Sequence, residues 1–575
     1  MDTINGQTPR QLFTSNYERM KQERLETLAH CREINRLFMP RTGRFFEDRP
    51  NSRPGRRNDG IYDNTATRGV RTTAASLQST TSSPARPWFR LRLANNGGFG
   101  SASANNFELD EGTRWLDAVR NKILDTFQGS NVYQSLHQIY LELVLYGTAV
   151  AIMVEDKDSI MRLQTLTFGE YCLDMAPDGK PNALYRELRM TTSQLVKKFG
   201  IDKCSPAVAA EFRNNQLNNW HDVLHVIEPR DRYDPTKEDP ENRAWRSTYM
   251  ELAVGDDDKG YAGLLSDGGY DRFPVLAVRW DVQGADVYGT SPAMDCLGDV
   301  QSLQQAQFRM HQAFDYKTKP PMGLPSAMRG SEINMQPGGK TFVTGTTPAQ
   351  PLWQVQLQLN EAIEVIRDIQ ARIHSSLFVD VFLSLLNAND TTQRTAEEIR
   401  ERRDEKFQLL GPVVDRLSDE CHEPLITWAF YMLQTAGMLP PLPDGLDSAT
   451  VRIEFISVLA QAQKAIQTVS TDRIIGTVMA VGQQKAEIWD KIDVYALVDH
   501  LTDRYGGDPR IIVGTDKALA VAEARNRLNA AKEQALMAEQ MAGAAKDVGS
   551  VPTQAPLTGA AAADLFSGGA GDVGL

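Results

Sequence analysis

Chemistry in this chain would have to come from a few short constellations. Pro337-Gly338-Gly339-Lys340-Thr341 is like the end of a phosphate-binding loop, where backbone N–H groups cradle phosphates and a lysine reaches them. The full pattern needs glycine at 334, where Asn334 stands, and belongs between a strand and a helix. Here it precedes a strand-like Lys340–Val343, so a β-turn is the better reading. His221 and His225 stand at i,i+4, but Asp222 occupies the place of the zinc-protease glutamate and the flanks read as strand. Asp256-Asp257-Asp258 reads as a solvated turn, because no spaced ligand loop follows it. No GxSxG, GxGxxG, HExxH or Cys–His framework occurs. No metal or cofactor is implied, and an enzyme has no positive support.

The elements that could position such groups are more informative. Pro292 opens a helix in which Met294, Leu297, Val300 and Leu303 recur at helical steps as far as Tyr316. A Gly/Pro-rich insert ends it, and a second helix (357–377) carries Ile363, Ile366, Ile369 and Ile373 on one stripe. The spacing predicts two rods of ~35 and ~32 Å flanking a small insert. Gln301, Gln304, Gln305, Gln307 and Gln312 sit among Leu and Ala on the first rod, which predicts packing against a neighbouring subunit. A long stem with a head suits assembly better than catalysis.

With 575 residues the chain needs several domains. Its 41% hydrophobic and 24% charged content is that of an ordinary soluble protein. No apolar run reaches the ~18 residues that span a bilayer, and the N-terminus lacks an apolar signal core. Five scattered cysteines are the pattern expected of a reduced, intracellular protein. A net charge of −12 argues against a general nucleic-acid-binding surface, but it does not exclude nucleic acid as a passing cargo. Arginines outnumber acids between Arg41 and Arg71, which reads equally as a solvated arm or as a contact for DNA or an acidic partner.

Along the chain, 9–38 predicts an amphipathic helix with Phe13, Tyr17, Met20, Leu28, Cys31, Ile34 and Phe38 on one face. A helix runs toward Ser79, and the prolines of Ser83–Leu91 force an extended, aromatic-anchored stretch. Trp115–Phe127 and Val132–Leu145 form a helical pair. Strands are expected at 149–154, 163–168, 171–173, 184–190, 223–227, 248–254 and 274–280, which makes 107–285 an α+β domain. Phe378–Asn389 is a short apolar run that reads as loop or as buried core. A helix spans Thr392–Ala436, kinked at Gly411-Pro412 and again at Pro424. One strand (Val451–Ile456), helices over 459–501, an Ala-rich helix over Asp516–Lys546 and a disordered tail complete it.

Four segments stand in order along the chain: Leu77 with Thr81–Leu91; Pro274…Arg279-Trp280 followed by Tyr288–Ala293; Thr395–Ile399…Arg402 with Leu410–Val413 and Arg416-Leu417; and Ile456–Gln463. Together they resemble the portal (head-to-tail connector) proteins of short-tailed, podovirus-type bacteriophages. The last departs from the family at Val458, where proline is expected. The matches cover residues 77–463, each weak alone but strong in order.

The resemblance implies an α+β, mainly helical, ring-forming subunit with wing, stem, clip and crown. Residues 1–290 would be wing, 291–316 and 357–377 stem, and 317–356 clip. Residues 378–392 would be the tunnel loop, 393–437 the long kinked wing helix, 438–546 the crown with a possible helical barrel, and 547–575 a disordered tail. It implies a dodecameric ring at one capsid vertex of the virion, assembled in the host cytoplasm, with double-stranded DNA passing through. Scaffolding and major capsid proteins would surround it. The terminase large subunit would dock on the clip, later replaced by an adaptor or tail protein. Arg329, Lys340, Phe342 and Trp353 are the expected clip docking residues. Val381, Phe382, Leu383, Ser384, Leu385, Asn387 and Asn389 are the expected DNA-facing lip. The competing readings are a terminase-like DNA-packaging or processing enzyme, and a capsid or tail component without a channel.

Overall fold

The computed structural model describes residues 8–40, 60–94, 106–234, 236–237, 239–254, 263–318, 322–323, 350–351, 359–386, 410–442, 450–455 and 515–548. They fall into two compact units, Met1–Val469 and Ser470–Leu575.

The first predicted helix is two, α1 (Pro9–Glu23) and α2 (Leu25–Phe38), broken at Arg24. Thr8 and Gln11 form a capping box at the start of α1. The expected apolar face is buried along its length but serves two cores. Phe13, Tyr17 and Met20 pack with Cys172, Tyr185 and Leu224, whereas Leu28, Cys31, Ile34 and Phe38 join the main core. Arg24 donates to the Gly169 and Tyr171 carbonyls, so tertiary contacts fix the break.

Helix α3 (Thr65–Thr81) leads to β1 (Phe89–Ala94), and α4 (Asn106–Gly129) and α5 (Val132–Tyr146) follow. Trp88 and Phe89 are fully buried, as the two prolines before them suggested. Gly147 caps α5 at φ +71°, where any Cβ would collide with the backbone of Gly289 and Thr290. This close approach explains why both positions are glycine. Strands β2 (Thr148–Asp156) and β3 (Ile160–Leu166) pair antiparallel, and β9 (Val275–Arg279) pairs with the other side of β2. A second, antiparallel sheet runs in sequence order: β4 (Tyr171–Met175), β5 (Pro181–Thr191), β6 (Trp220–Pro229), β7 (Trp245–Glu251) and β8 (Leu264–Tyr270).

Three elements of this domain were not expected. Helices α6 (Thr192–Phe199) and α7 (Pro206–Arg213) are too short for a periodic signal, yet Leu195 and Val208 pack on Val223 and Leu265. Strand β8 contains Asp267, Gly268 and Gly269, which suit an edge position but hide a strand in the sequence.

Beyond the sheets come α8 (Pro292–Asp295), α9 (Leu297–Thr318), the two-residue strands β10 (Met322–Gly323) and β11 (Gln350–Pro351), α10 (Leu359–Ser376) and α11 (Val379–Leu386). The predicted third long helix is described from Leu410. Residues 410–417 are helical, Ser418–His422 widen into a π-helical turn, and α12 (Glu423–Thr435) follows. Pro424 has no N–H to offer the Glu420 carbonyl, and the wide turn absorbs that loss. The kink expected at Gly411-Pro412 lies at the margin of the described residues. Strand β12 (Thr450–Phe455) pairs antiparallel with β1, from Phe89↔Phe455 to Ala94↔Thr450. In the second unit α13 (Thr515–Val548) matches the expected Ala-rich helix. The helices expected over 459–501 and the tail from 549 lie outside the described residues. Among the described residues no helix is long and apolar enough to cross a membrane.

Candidate functional site

The two long helices expected on either side of the insert are present as α9 and α10. Ser291 caps their entrance: the hydroxyl accepts from Met294 N (3.1 Å) and donates to the Leu145 carbonyl (2.8 Å). Leu297, Val300, Leu303 and Gln304 of α9 are buried, as are Ile366, Ile369 and Ile373 of α10. Past Gln304 no residue of α9 is buried, and none of the described side chains of α10 before Ile366 is. Each helix is therefore seated in the main core at one end and projects at the other. Beyond the Tyr62 ring contacts with Phe308 and His311, the projecting Gln312–Thr318 is ~10 Å long. Arg372 Nη2 lies 3.2 Å from Asp299 Oδ1, joining the end of α10 to the start of α9, so the pair is antiparallel. Strands β10 and β11 pair antiparallel at the opening of the insert. The projecting parts expose Phe308, Phe314, Tyr316, Ile363 and Val365. Ile363 leaves the buried stripe expected of it because it lies beyond the core.

Three of the glutamines on α9 bond within the chain, and Gln304 is buried. Gln304 Oε1 accepts from the backbone N–H groups of Tyr62 (2.7 Å) and Asp63 (3.0 Å), and its Nε2 donates to the Asp63 carbonyl (2.8 Å). Gln307 and Gln370 both donate to Asp63 Oδ2, at 3.1 and 2.8 Å, and Gln301 donates to Glu33 Oε1 (2.7 Å). The expectation that these residues face a neighbouring subunit is corrected for Gln304 and Gln307, which pack on Tyr62–Asp63 of the same chain; Gln301 is exposed. Gln305 and Gln312 are exposed. Burial raises the pKa of the Asp63 carboxyl, but the donors on Thr65, Gln370 and Gln307 outweigh it and hold the group below its usual range. Asp63 thus stitches the entry to α3 to both stem helices. Nothing in its polar sequence surroundings marked it.

The expected tunnel loop begins as a helix, because α11 covers Val379–Leu386. Val381 and Phe382 are 6% and 0% exposed, so as the chain is folded here they are core side chains and cannot form a surface lip. Leu383 is 40% exposed and faces outward. Ser384 and Leu385 belong to α11, whereas Asn387 and Asn389 lie outside the described residues. So do Arg329, Lys340, Phe342 and Trp353, together with Pro337–Thr341 and Asp256–Asp258. Between α10 and α11, Phe378 takes φ +57°, left-handed backbone that a bulky residue rarely adopts. Thr73 Oγ1 donates to the Leu377 carbonyl (2.6 Å) beside it.

The two histidines at i,i+4 are structural. His221 bonds Glu211 (2.8 Å) and Thr192 (3.1 Å). His225 accepts from Arg186 Nε (3.0 Å), bonds Ser247 and stacks on Tyr249 at 3.9 Å. Burial drives its pKa well down. Among the described residues no cluster could hold a metal ion. A second polar cluster lies against the first resemblance segment: Tyr140 Oη lies 2.6 Å from Ser82 Oγ and 3.0 Å from His422 Nε2, and His422 packs against Trp88. Burial lowers the His422 pKa to about 3, so the cluster is neutral.

Residues 10–513 match the family described as bacteriophage head to tail connecting protein. The "Probable portal protein" of Bordetella phage BPP-1 is 39% identical over 95% of this chain and 96% of that one. The "Portal protein" of Salmonella phage epsilon15 is 34% identical over 96% of this chain and 97% of that one. A chain from the "Virion of native gene transfer agent (GTA) particle" aligns with a TM-score of 0.34 at 11% identity, over 74% of this chain and 87% of that one, too distant to carry an argument. The α+β, mainly helical chain described here belongs to the bacteriophage head to tail connecting protein family.

Proposed function

We propose that this chain is the portal subunit of a short-tailed phage: a dodecameric ring at one capsid vertex, assembled in the host cytoplasm. Double-stranded DNA would enter and leave along its axis. The observation that carries the reading is the antiparallel α9–α10 pair, half seated in the core and half projecting with an exposed apolar surface. A lone projecting hairpin gains nothing from exposing Phe308, Phe314, Tyr316, Ile363 and Val365; repeated contacts between like copies cover such a face and close into a ring. The near full-length similarity to proteins named portal supports the same reading.

In this scheme 1–290 is mainly wing, α9 and α10 are the stem, and 317–356 is the clip, with Arg329, Lys340, Phe342 and Trp353 meeting the terminase large subunit and then the adaptor or tail protein. The channel lip of 378–392 starts at Leu383 rather than at Val381. Residues 393–437 form the long wing helix, and 438–546 the crown. Scaffolding and major capsid proteins are the partners on the head side. The protein performs no catalysis in this role.

Native mass measurement and projection images of the purified chain test the proposal. Closed rings with a central hole are expected. A folded, monodisperse monomer at micromolar concentration would sink it.

A further inference from the structure

Helices α10 and α11 are separate although nothing in their sequence separates them. Between Leu359 and Leu386 there is neither proline nor glycine. Ile366, Ile369, Ile373, Leu377 and Val381 follow one another at helical steps and are all buried. Local propensity therefore favours one continuous helix across 359–386. The break is imposed from outside. In a continuous helix the Leu377 carbonyl would accept from the Val381 amide; here it accepts from the Thr73 hydroxyl, at 2.6 Å. Phe378 N bonds Ser375 O (3.1 Å), one residue short of the α-helical partner. Gly69, one turn before Thr73 on α3, leaves room for Leu377: a Cβ there would lie 2.6 Å from Leu377 Cδ1 and 3.5 Å from Val379 Cγ2. The Phe378 ring rests against the buried Trp280, 6.0 Å between centroids. Backbone strain of this kind persists only where the surroundings over-determine it.

We propose that Leu377–Phe378 is a two-state joint, latched in its bent form by Gly69 and Thr73 of α3, and that release fuses α10 and α11 into one straight helix. The switch would re-aim α11 relative to α10. The joint does not rest on the portal reading. The two states differ in discrete hydrogen-bond partners, as a bistable element requires.

The joint can be read by spin-label distances on the full chain carrying Ala371→Cys and Leu383→Cys. Both positions are exposed, and all five native cysteines are buried. Labelled chains are diluted with unlabelled ones so that only distances within one chain count. A straight helix sets a Cα separation of ~18 Å between the two sites. The unmodified joint should give one separation distinct from that, and Phe378→Gly should keep it, since glycine adopts φ +57° without strain. Thr73→Val should add a population at the straight-helix separation, whereas Thr73→Ser, which retains the hydroxyl, should not. Should Thr73→Val fail to fold, Gly69→Ala carries the test with the same expectation. A single unchanged separation in the Val and Ala variants, or a straight joint in the unmodified chain, overturns the proposal. Ring formation is read separately by imaging, so the portal reading and the joint stand or fall independently.

Discussion

The Arg279 guanidinium and the Glu420 carboxylate form a buried ion pair, 2.6 Å from Nη2 to Oε1, that ties strand β9 to the π-helical turn before α12. Arg279 also donates its backbone N–H to Oε2 (2.9 Å) and Nη2 to the Gly179 carbonyl (3.0 Å). Breaking such a pair strands a buried charge. Glu420→Ala is expected to cost about 3–5 kcal/mol, and the double change Arg279→Met with Glu420→Leu much less than the two single losses together. Urea unfolding of the four variants of the cycle checks this; additive losses would contradict it.

Glu142 gives a pH dependence. Burial, with a smaller push from Glu170 and opposed by the Phe168 N–H at 3.1 Å, raises its pKa from 4.5 to about 8. The folded state thus favours the protonated form. That contribution is full below the unfolded pKa near 4.5 and is lost as pH rises toward 8. Glu142→Gln stays neutral throughout. It should match the parent near pH 4.5 and become more stable than it at pH 8, by up to ~4 kcal/mol. Thermal unfolding across that range decides it, and a constant difference at every pH would contradict it.

Asp63 should act as a structural rivet. Asp63→Ala removes the acceptor for Gln307, Gln370 and Thr65 and leaves their donors unmatched, at a cost of about 1–3 kcal/mol. Faster amide exchange at Asp63 and Thr65, with α5 unchanged, is the expected signature. Uniform loss of protection over the first unit would mean the rivet is not local.

The elements legible in the sequence are those whose own pattern forces them. The isoleucine stripe of α10, the prolines before Trp88, and the alternation that put His225 on a strand all carried their structure locally. What was not legible depends on contacts distant in sequence. Nothing near Arg24 announces that Gly169 and Tyr171 will break the first helix, and nothing in α10 announces that Thr73 will. The stem glutamines misled because polar residues on a helix suit a neighbouring subunit and a neighbouring loop equally well. Only the fold placed Tyr62–Asp63 against them.

The projecting stem face predicts a separation of assembly from folding. Phe314 and Val365 are 56% and 58% exposed, so Phe314→Asp with Val365→Asp should leave the melting temperature within about 2 °C while abolishing rings in native mass spectra. Rings of normal abundance would place the subunit contact elsewhere.

The two sides of α11 give the last prediction. Phe382 is fully buried and Leu383 is 40% exposed, although they are neighbours in sequence. Phe382→Ala empties a packed site and should cost about 3–5 kcal/mol, reducing assembled ring through loss of the fold. Leu383→Ser removes an outward side chain and should change stability by less than about 0.5 kcal/mol. If the lip that touches DNA begins at Leu383, that second variant assembles normally yet packages or retains DNA poorly. The lip carries no Lys or Arg between Val381 and Asn389, so its contact with DNA is not ionic and the defect should be nearly independent of salt. Normal packaging by Leu383→Ser, measured beside a folded and fully assembled ring, would remove Leu383 from the channel wall.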